Sequence, residues 1–331
     1  MNVYNIKAAV MPVFPSCRTF PLFLCALLLP LYAAAQPAYP VKPIRIVLGS
    51  TPGASPDILA RMITTKMSEN WQQTVVIDNK VGAGGLIAAN LVAKATPDGY
   101  TLLATSPAIA IRAALASNPD DVLKDFSAVT EIGFSNTALL AGPASGAKSI
   151  REIIAFANAN HGKVFFASGG ALTADHINGE RFRIAAGIKV QHVAFKGQSE
   201  ALIEVVAGRM LYTSASLTSS MPFIKNGTLR VLAVAQRTPL LPDVPSMEES
   251  LKGWGRNGSQ ALLAPKGTPL AIRQKISREV ARITSLPEIK EKLDAVSFGI
   301  TANSPEQHEK NLRADVAAFS RVLKESGLKT N

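Results

Sequence analysis

Two glycine-bearing loops, about thirty residues apart, constrain this chain more than any other feature. The first runs Gly49-Ser50-Thr51-Pro52-Gly53-Ala54-Ser55, between an apolar run at 44–48 and an amphipathic stretch at 56–67. The second, Gly82-Ala83-Gly84-Gly85, lies between a run at 74–77 and a stretch at 86–94. Each reads as strand, loop, helix. Two such units side by side point two helix N-termini into one cleft, where free N–H groups and positive dipole ends suit a carboxylate or another small anion. Glycines at 53, 82, 84 and 85 allow the backbone to approach a ligand and to adopt positive φ, although glycines also serve simply to end strands.

The same alternation continues along the chain and predicts an α/β architecture with mostly parallel sheets. Strands are expected at 44–48, 74–77, 101–104, 129–132, 138–141, 164–167, 190–193, 210–213 and 229–235. Helices are expected at 56–70, 85–95, 149–158, 173–186, 198–207, 269–284 and 305–326. Several starts are chemically marked. Ser55 can cap, Pro56 suits the first helical position, and Asp57 places negative charge in the first turn, a structural role. Ser149 with Glu152, and Ser304 with Gln307, read as capping pairs. The proline-rich stretch 238–245 is punctuation, and boundaries fall near 138–150 and 260–269.

The first 35 residues stand apart. They carry Lys7 and Arg18, no acidic residue, an apolar block at 20–31 and the small-residue run Ala33-Ala34-Ala35. That is the pattern of a cleaved secretory signal peptide, and the block is short for a membrane span, which needs about 20 residues. The chain is therefore expected in the periplasm after cleavage near Ala35. Met1 and Met11 both remain as starts. Both cysteines, Cys17 and Cys25, leave with the segment, so the mature chain has neither disulfide nor thiol chemistry. Without Lys7 and Arg18 the 35 basic residues fall to 33 against 24 acidic, a formal charge of +9. The basic residues are scattered, with no run and little interleaved aromatic content. This argues against nucleic acid and for a solvated surface that attracts anions.

Catalytic chemistry is sparse. His161, His176, His192 and His308 are the only histidines, and none has metal-ligand spacing with a cysteine or carboxylate. Gly82-x-Gly84 departs from the dinucleotide pattern because Ile87 stands where the third glycine belongs. No metal, cofactor or catalytic residue is assigned. Gly197-Gln198-Ser199-Glu200-Ala201 falls one residue short of a nucleophile elbow. A serine esterase built on Ser199 is thus the enzymatic alternative, and a first-turn helical serine is the structural one.

A series of ordered motifs then identifies a family resemblance. They are Tyr39-Pro40-x-Lys42-Pro43-Ile44, Asp57-Ile58-Leu59-Ala60-Arg61, Asn79-Lys80-Val81-Gly82-Ala83-Gly84-Gly85 and Pro97-Asp98-Gly99-Tyr100-Thr101-Leu102-Leu103. Lys124-Asp125-Phe126, Phe195-Lys196-Gly197, Leu241-Pro242-Asp243-Val244-Pro245 and Leu263-Ala264-Pro265-x-Gly267-Thr268-Pro269 follow. From Tyr39 to its C-terminus the chain resembles the Bug family of periplasmic solute receptors, the binding components of tripartite tricarboxylate transporters.

The resemblance implies a two-domain periplasmic binding protein of class II type, with two crossing hinge strands and a central cleft, its first domain discontinuous (36–140 plus 261–331) and its second at 141–260. It implies a monomeric receptor that presents a small organic carboxylate to membrane transporter subunits or, alternatively, to a sensor kinase. Ligand contacts map onto Ser50, Thr51, Pro52, Gly53, Ala54, Ser55, Gly82, Ala83, Gly84 and Gly85. From the second domain they map onto Ser168, Gly169, Gly170, Thr173, Lys196 and Gly197, with Ser106 at the third strand's end. The chain departs from the family's usual pattern at Ala54-Ser55-Pro56, Arg112-Ala113, Leu172, Ala215 and Ser259, which implies an altered specificity on a retained scaffold. Arg112 is either a partner for a second carboxylate or a surface arginine after a loop.

Overall fold

Eleven strands and twelve helices alternate along the described part of the chain, and the strands gather into two sheets. The computed structural model describes residues 39–328 except 51, 53, 54, 83, 84, 119, 253 and 255–257, together with the side chains of 55, 121 and 122. The expected signal peptide, and five of the expected ligand contacts (Thr51, Gly53, Ala54, Ala83 and Gly84), lie outside the described residues.

The first sheet contains β1 (Ile44–Leu48), β2 (Val75–Asn79), β3 (Thr101–Thr105), β4 (Phe126–Ser135), β10 (Gln260–Pro265) and β11 (Phe298–Ile300), in the order β11-β4-β10-β3-β1-β2. The second contains β5 (Thr137–Ala141), β6 (Phe165–Ser168), β7 (Gln191–Ala194), β8 (Tyr212–Ser216) and β9 (Arg230–Val234), in the order β7-β6-β8-β5-β9. Before the first crossing come helices α1 (Ser55–Trp71), α2 (Leu86–Ala93), α3 (Ala108–Leu115) and α4 (Asp120–Leu123). The second sheet carries α5 (Ile150–Ala159), α6 (Ala174–Ala185), α7 (Gln198–Val206), α8 (Leu217–Lys225) and α9 (Met247–Ser250). The chain then returns through α10 (Leu270–Thr284), α11 (Pro287–Ala295) and α12 (Pro305–Ser326).

Neither sheet is mostly parallel, which corrects the expectation from alternation. The β1–β2, β1–β3, β6–β7 and β6–β8 pairs are parallel, while β10 runs antiparallel between β3 and β4, and β5 antiparallel between β8 and β9. The cause is topological. Strands β4–β5 and β9–β10 carry the chain between the sheets, and each strand arriving from the other sheet enters reversed. Strand β10 is buried along its whole length because it is flanked on both sides, by β3 and by β4.

Only Asn136 separates β4 from β5. Its side-chain amide donates to Gln236 O (2.7 Å) and accepts from Gln236 N–H (3.1 Å), just beyond β9. The outgoing and returning crossings are thereby stapled to each other. Helix α12 spans the two halves, with Leu312, Val316 and Phe319 packing in one cluster with Ile109 of α3, Leu263 of β10 and Ile177 of α6. The second sheet has its own core around Phe166, Phe182, Tyr212 and Trp254. Both capping pairs form: Ser149 Oγ accepts from Glu152 N–H and Ser304 Oγ from Gln307 N–H, each at 3.2 Å.

Candidate functional site

The two glycine-bearing loops meet. A Cβ placed on Gly49 would lie 2.6 Å from the Cα of Gly85, so the β1–α1 and β2–α2 loops are in direct backbone contact. Gly85 has φ of 92° and forms the N-cap of α2 with no side-chain cap. Conformation favours a glycine at position 85, and close contact favours one at position 49. At the end of β2 the Asn79 amide donates to Ser50 O (3.0 Å) and to the buried Asp57 carboxylate (2.9 Å), which Arg61 also grips through two hydrogen bonds. Asp57 is therefore a tie between α1 and the loops, its expected structural role.

Above this contact is a small compartment of about 80 Å³, lined by Gly49, Ser50, Gly85 and Leu86 on one side and by Ser106 and Arg112 on the other. Ser50 Oγ is buried there without a hydrogen-bond partner. It adjoins a cavity of about 650 Å³ between the two sheets. One wall is the face of α3 formed by Ala108, Ile111, Arg112 and Leu115, a spacing that places them on one side of a helix. The opposite wall carries Thr173, Asp175 and Asn178 of the α6 start, Gln198 at the start of α7, and Ser214 and Ser216 of β8. The crossing strands close it with Phe134, Ser135, Thr137 and Gln260. Ser106, Ala108 and Arg112 line both spaces and mark their junction.

Arg112 makes no hydrogen bond or ion pair among the described residues, and its partial burial holds the guanidinium below its ordinary range. A cation desolvated without a partner is unfavourable unless an anion supplies one. Helix α8 adds the positive end of its dipole at Ser216, while α6 and α7 each carry an acidic residue in the first turn, Asp175 and Glu200, that answers theirs.

The sequence-derived site residues divide accordingly. Ser50 and Gly85 line the small compartment, Thr173 the large cavity, and Ser106 both. Pro52 is exposed, and Gly82, with φ of 134°, opens the second loop; neither lines either space. Ser168, Gly169 and Gly170 form the turn after β6, one layer behind the wall. Thr173 Oγ1 donates to Gly170 O (2.6 Å), and Gly169 N–H donates to the Asp175 carboxylate. A Cβ on Gly169 would meet Gln198 N at 2.5 Å, so this turn is pressed against the Gly197–Gln198 backbone. Lys196 is exposed, and its N–H donates to Glu200 (2.9 Å). Sequence reasoning named Arg112 as a departure that is either a partner for a second carboxylate or a surface arginine, and did not place Asp175, Asn178 or Gln198 in the site. The spacing of 108, 111, 112 and 115 was the available signal for the α3 wall.

His176 and His192, from separate elements, stack with ring centroids 3.6 Å apart. His176 Nδ1 accepts from Leu172 N–H (2.9 Å), and His192 Nε2 lies 2.6 Å from Ser168 Oγ. Burial, with His192 alongside, pushes His176 down to about 3, and burial lowers His192 as well. Ser168 is wholly buried, so this serine–histidine contact supports the turn and presents no nucleophile. Ser199 is exposed in the first turn of α7, and no histidine hydrogen-bonds it among the described residues. Among those residues no group of three or more His, Cys, Asp or Glu could hold a metal.

Comparisons with known proteins place this geometry. The model of the TctC family, described as "Tripartite tricarboxylate transporter family receptor", matches residues 59–328. A UPF0065 protein of Bordetella bronchiseptica is 30% identical over 94% of this chain and 94% of its own length. The structure of Rpa4515 from R. palustris with adipate is similar at a TM-score of 0.73, with 28% identity over 87% of this chain and 98% of that one. MatC from Rhodopseudomonas palustris with bound malate is similar at 0.69, with 25% identity over 86% and 100%. The chain has the two-sheet α/β fold of such binding proteins.

Proposed function

This chain belongs to the TctC family of tripartite tricarboxylate transporter receptors, and from that premise we propose that it captures a small organic carboxylate between its two sheets and delivers it to membrane transporter subunits. The observation that carries this reading is Arg112, a half-buried guanidinium without a partner among the described residues, at the junction of the two spaces. A carboxylate fits the small compartment, against Arg112, the buried Ser50 Oγ and the uncapped start of α2. The remainder of the ligand then extends into the larger cavity. The adipate and malate in the two similar structures support the ligand class.

The receptor works in the periplasm as a monomer of two domains, one built on each sheet, that close on the ligand. The exchange of sheets at Asn136 and again before Gln260 supports that division, and the leader-like first 35 residues support export. Among the described residues no helix is long and apolar enough to cross a membrane. The protein acts by binding, without a catalytic step.

The test is a thermal-shift screen of the mature protein against mono-, di- and amino-carboxylates, since a ligand bound only to the folded state raises Tm. Arg112→Gln should weaken the best ligand by roughly 10- to 100-fold, the worth of one charge-assisted hydrogen-bonded contact. Because Arg112 has no partner to lose among the described residues, the ligand-free variant should unfold at the wild-type temperature. Wild-type affinity in Arg112→Gln, or no Tm response to any carboxylate, would sink the reading.

A further inference from the structure

The large cavity has two ionisable side chains among its described lining residues, Arg112 on the α3 wall and Asp175 on the α6 wall; the others are neutral. These opposite charges share one cavity without forming an ion pair with each other. Arg112 has no partner at all among the described residues. Asp175 Oδ2 accepts from Gly169 N–H, while no hydrogen bond reaches Oδ1 among them.

We infer that this cavity is built for an amphoteric acid, an amino acid whose carboxylate meets Arg112 and whose ammonium meets Asp175 on the opposite wall. The inference rests on the carboxylate reading above and adds to it the chemistry of the ligand's other end. Asp175 sits in the first turn of α6, where the positive end of the helix dipole is already answered by its carboxylate. That dipole is therefore not left over for a second carboxylate on the ligand. A dicarboxylate reaching the α6 wall would bring like charge against the largely buried Asp175, where repulsion is less screened than between groups in open water. An ammonium there is attracted to the free Oδ1, and Ser214 and Ser216 on the same wall offer side-chain oxygens to its remaining protons. Because Arg112 and Asp175 stand on opposite walls unpaired, a ligand that answers both needs its two charged groups at separate ends of a short chain. An ω-amino acid has that form.

The experiment compares ligands matched in length: β-alanine with malonate, γ-aminobutyrate with succinate, and ε-aminocaproate with adipate. Affinity for each is measured by calorimetry and Tm shift on the mature protein and on Asp175→Asn. The wild type should favour the amino acid over the diacid of equal length by at least tenfold at the best-fitting length. Asp175→Asn retains an oxygen that can accept from Gly169 N–H, so it should fold, with a ligand-free Tm lowered slightly by loss of the charge at the start of α6, and should reverse or abolish the preference. The inference is overturned if diacids bind the wild type as well as their amino counterparts, or if Asp175→Asn leaves the ranking unchanged. Diacids binding well overturns this inference alone and leaves the carboxylate reading standing. Binding of no acid at any length overturns both.

Discussion

Gly49 sits in ordinary backbone conformation, so what restricts it is the Gly85 Cα, which an added Cβ would approach to 2.6 Å. A side chain at position 49 must push the two loops apart. Gly49→Ala should therefore cost about 1–3 kcal/mol, the usual penalty for overpacking, and should also enlarge the compartment assigned to the carboxylate. Denaturant unfolding together with ligand titration checks both effects; a variant with wild-type stability and affinity would show that the loops part freely. Arg112 is the opposite case, where the side chain matters and the surrounding backbone does not. Its substitution is expected to alter binding while leaving stability untouched, a split that separates a ligand contact from a structural residue.

At the scale of elements, the turn between β6 and α6 is held from behind by the stacked imidazoles. His176 must be neutral to accept from Leu172 N–H, and it stays neutral down to about 3 in the folded chain, against an ordinary value of 6.5. Between those values the unfolded chain binds a proton that the folded chain does not. The stabilisation is therefore complete above pH 6.5 and is lost progressively as pH falls from 6.5 towards 3, with a slope of about 1.4 kcal/mol per pH unit for one proton. His192 is lowered as well and adds in the same direction. Unfolding free energy measured between pH 7 and 4 should show this slope, and His176→Gln should flatten it by one proton. An unchanged slope in that variant would assign the acid sensitivity elsewhere.

For the whole molecule, the decisive element is a single residue between two sheets. Asn136 bonds both ways to Gln236 and also accepts from Leu217 N–H through its carbonyl (2.9 Å). It is buried, so removing its amide leaves the Gln236 peptide unsatisfied. Asn136→Ala should destabilise by about 1–3 kcal/mol and should weaken binding of every ligand alike, because it loosens both walls together. Comparison of Tm and affinity across several acids distinguishes this uniform loss from the selective loss expected at Asp175. A variant that altered ligand preference would place Asn136 in recognition instead.

Local chemistry determined much of this protein. The strand, loop and helix grammar around Gly49 and Gly85, the capping pairs at Ser149 and Ser304, and the ordered motifs from Tyr39 onward were readable because each depends on near neighbours in sequence. Strands β1 and β5 to β9 and the long amphipathic α12 were legible through hydrophobic period for the same reason. Strand β10 was not, because its buried run looks alike whether it ends a domain or fills the middle of a sheet; only pairing with β3 and β4 distinguishes the two. The short Ala-rich α3 lacks the polar face that announces a surface helix, since the side carrying Arg112 faces a cavity and the other faces the core. Ser168, Gly169 and Gly197 were recognised as special, and the tertiary structure shows that what restricts Gly169 is a backbone crossing behind the site. The sequence by itself determined a backbone suited to an anion. Only the tertiary structure decided that Arg112 and Asp175, 63 positions apart in the sequence, face one cavity unpaired, because charge complementarity depends on distances in space that no local pattern encodes.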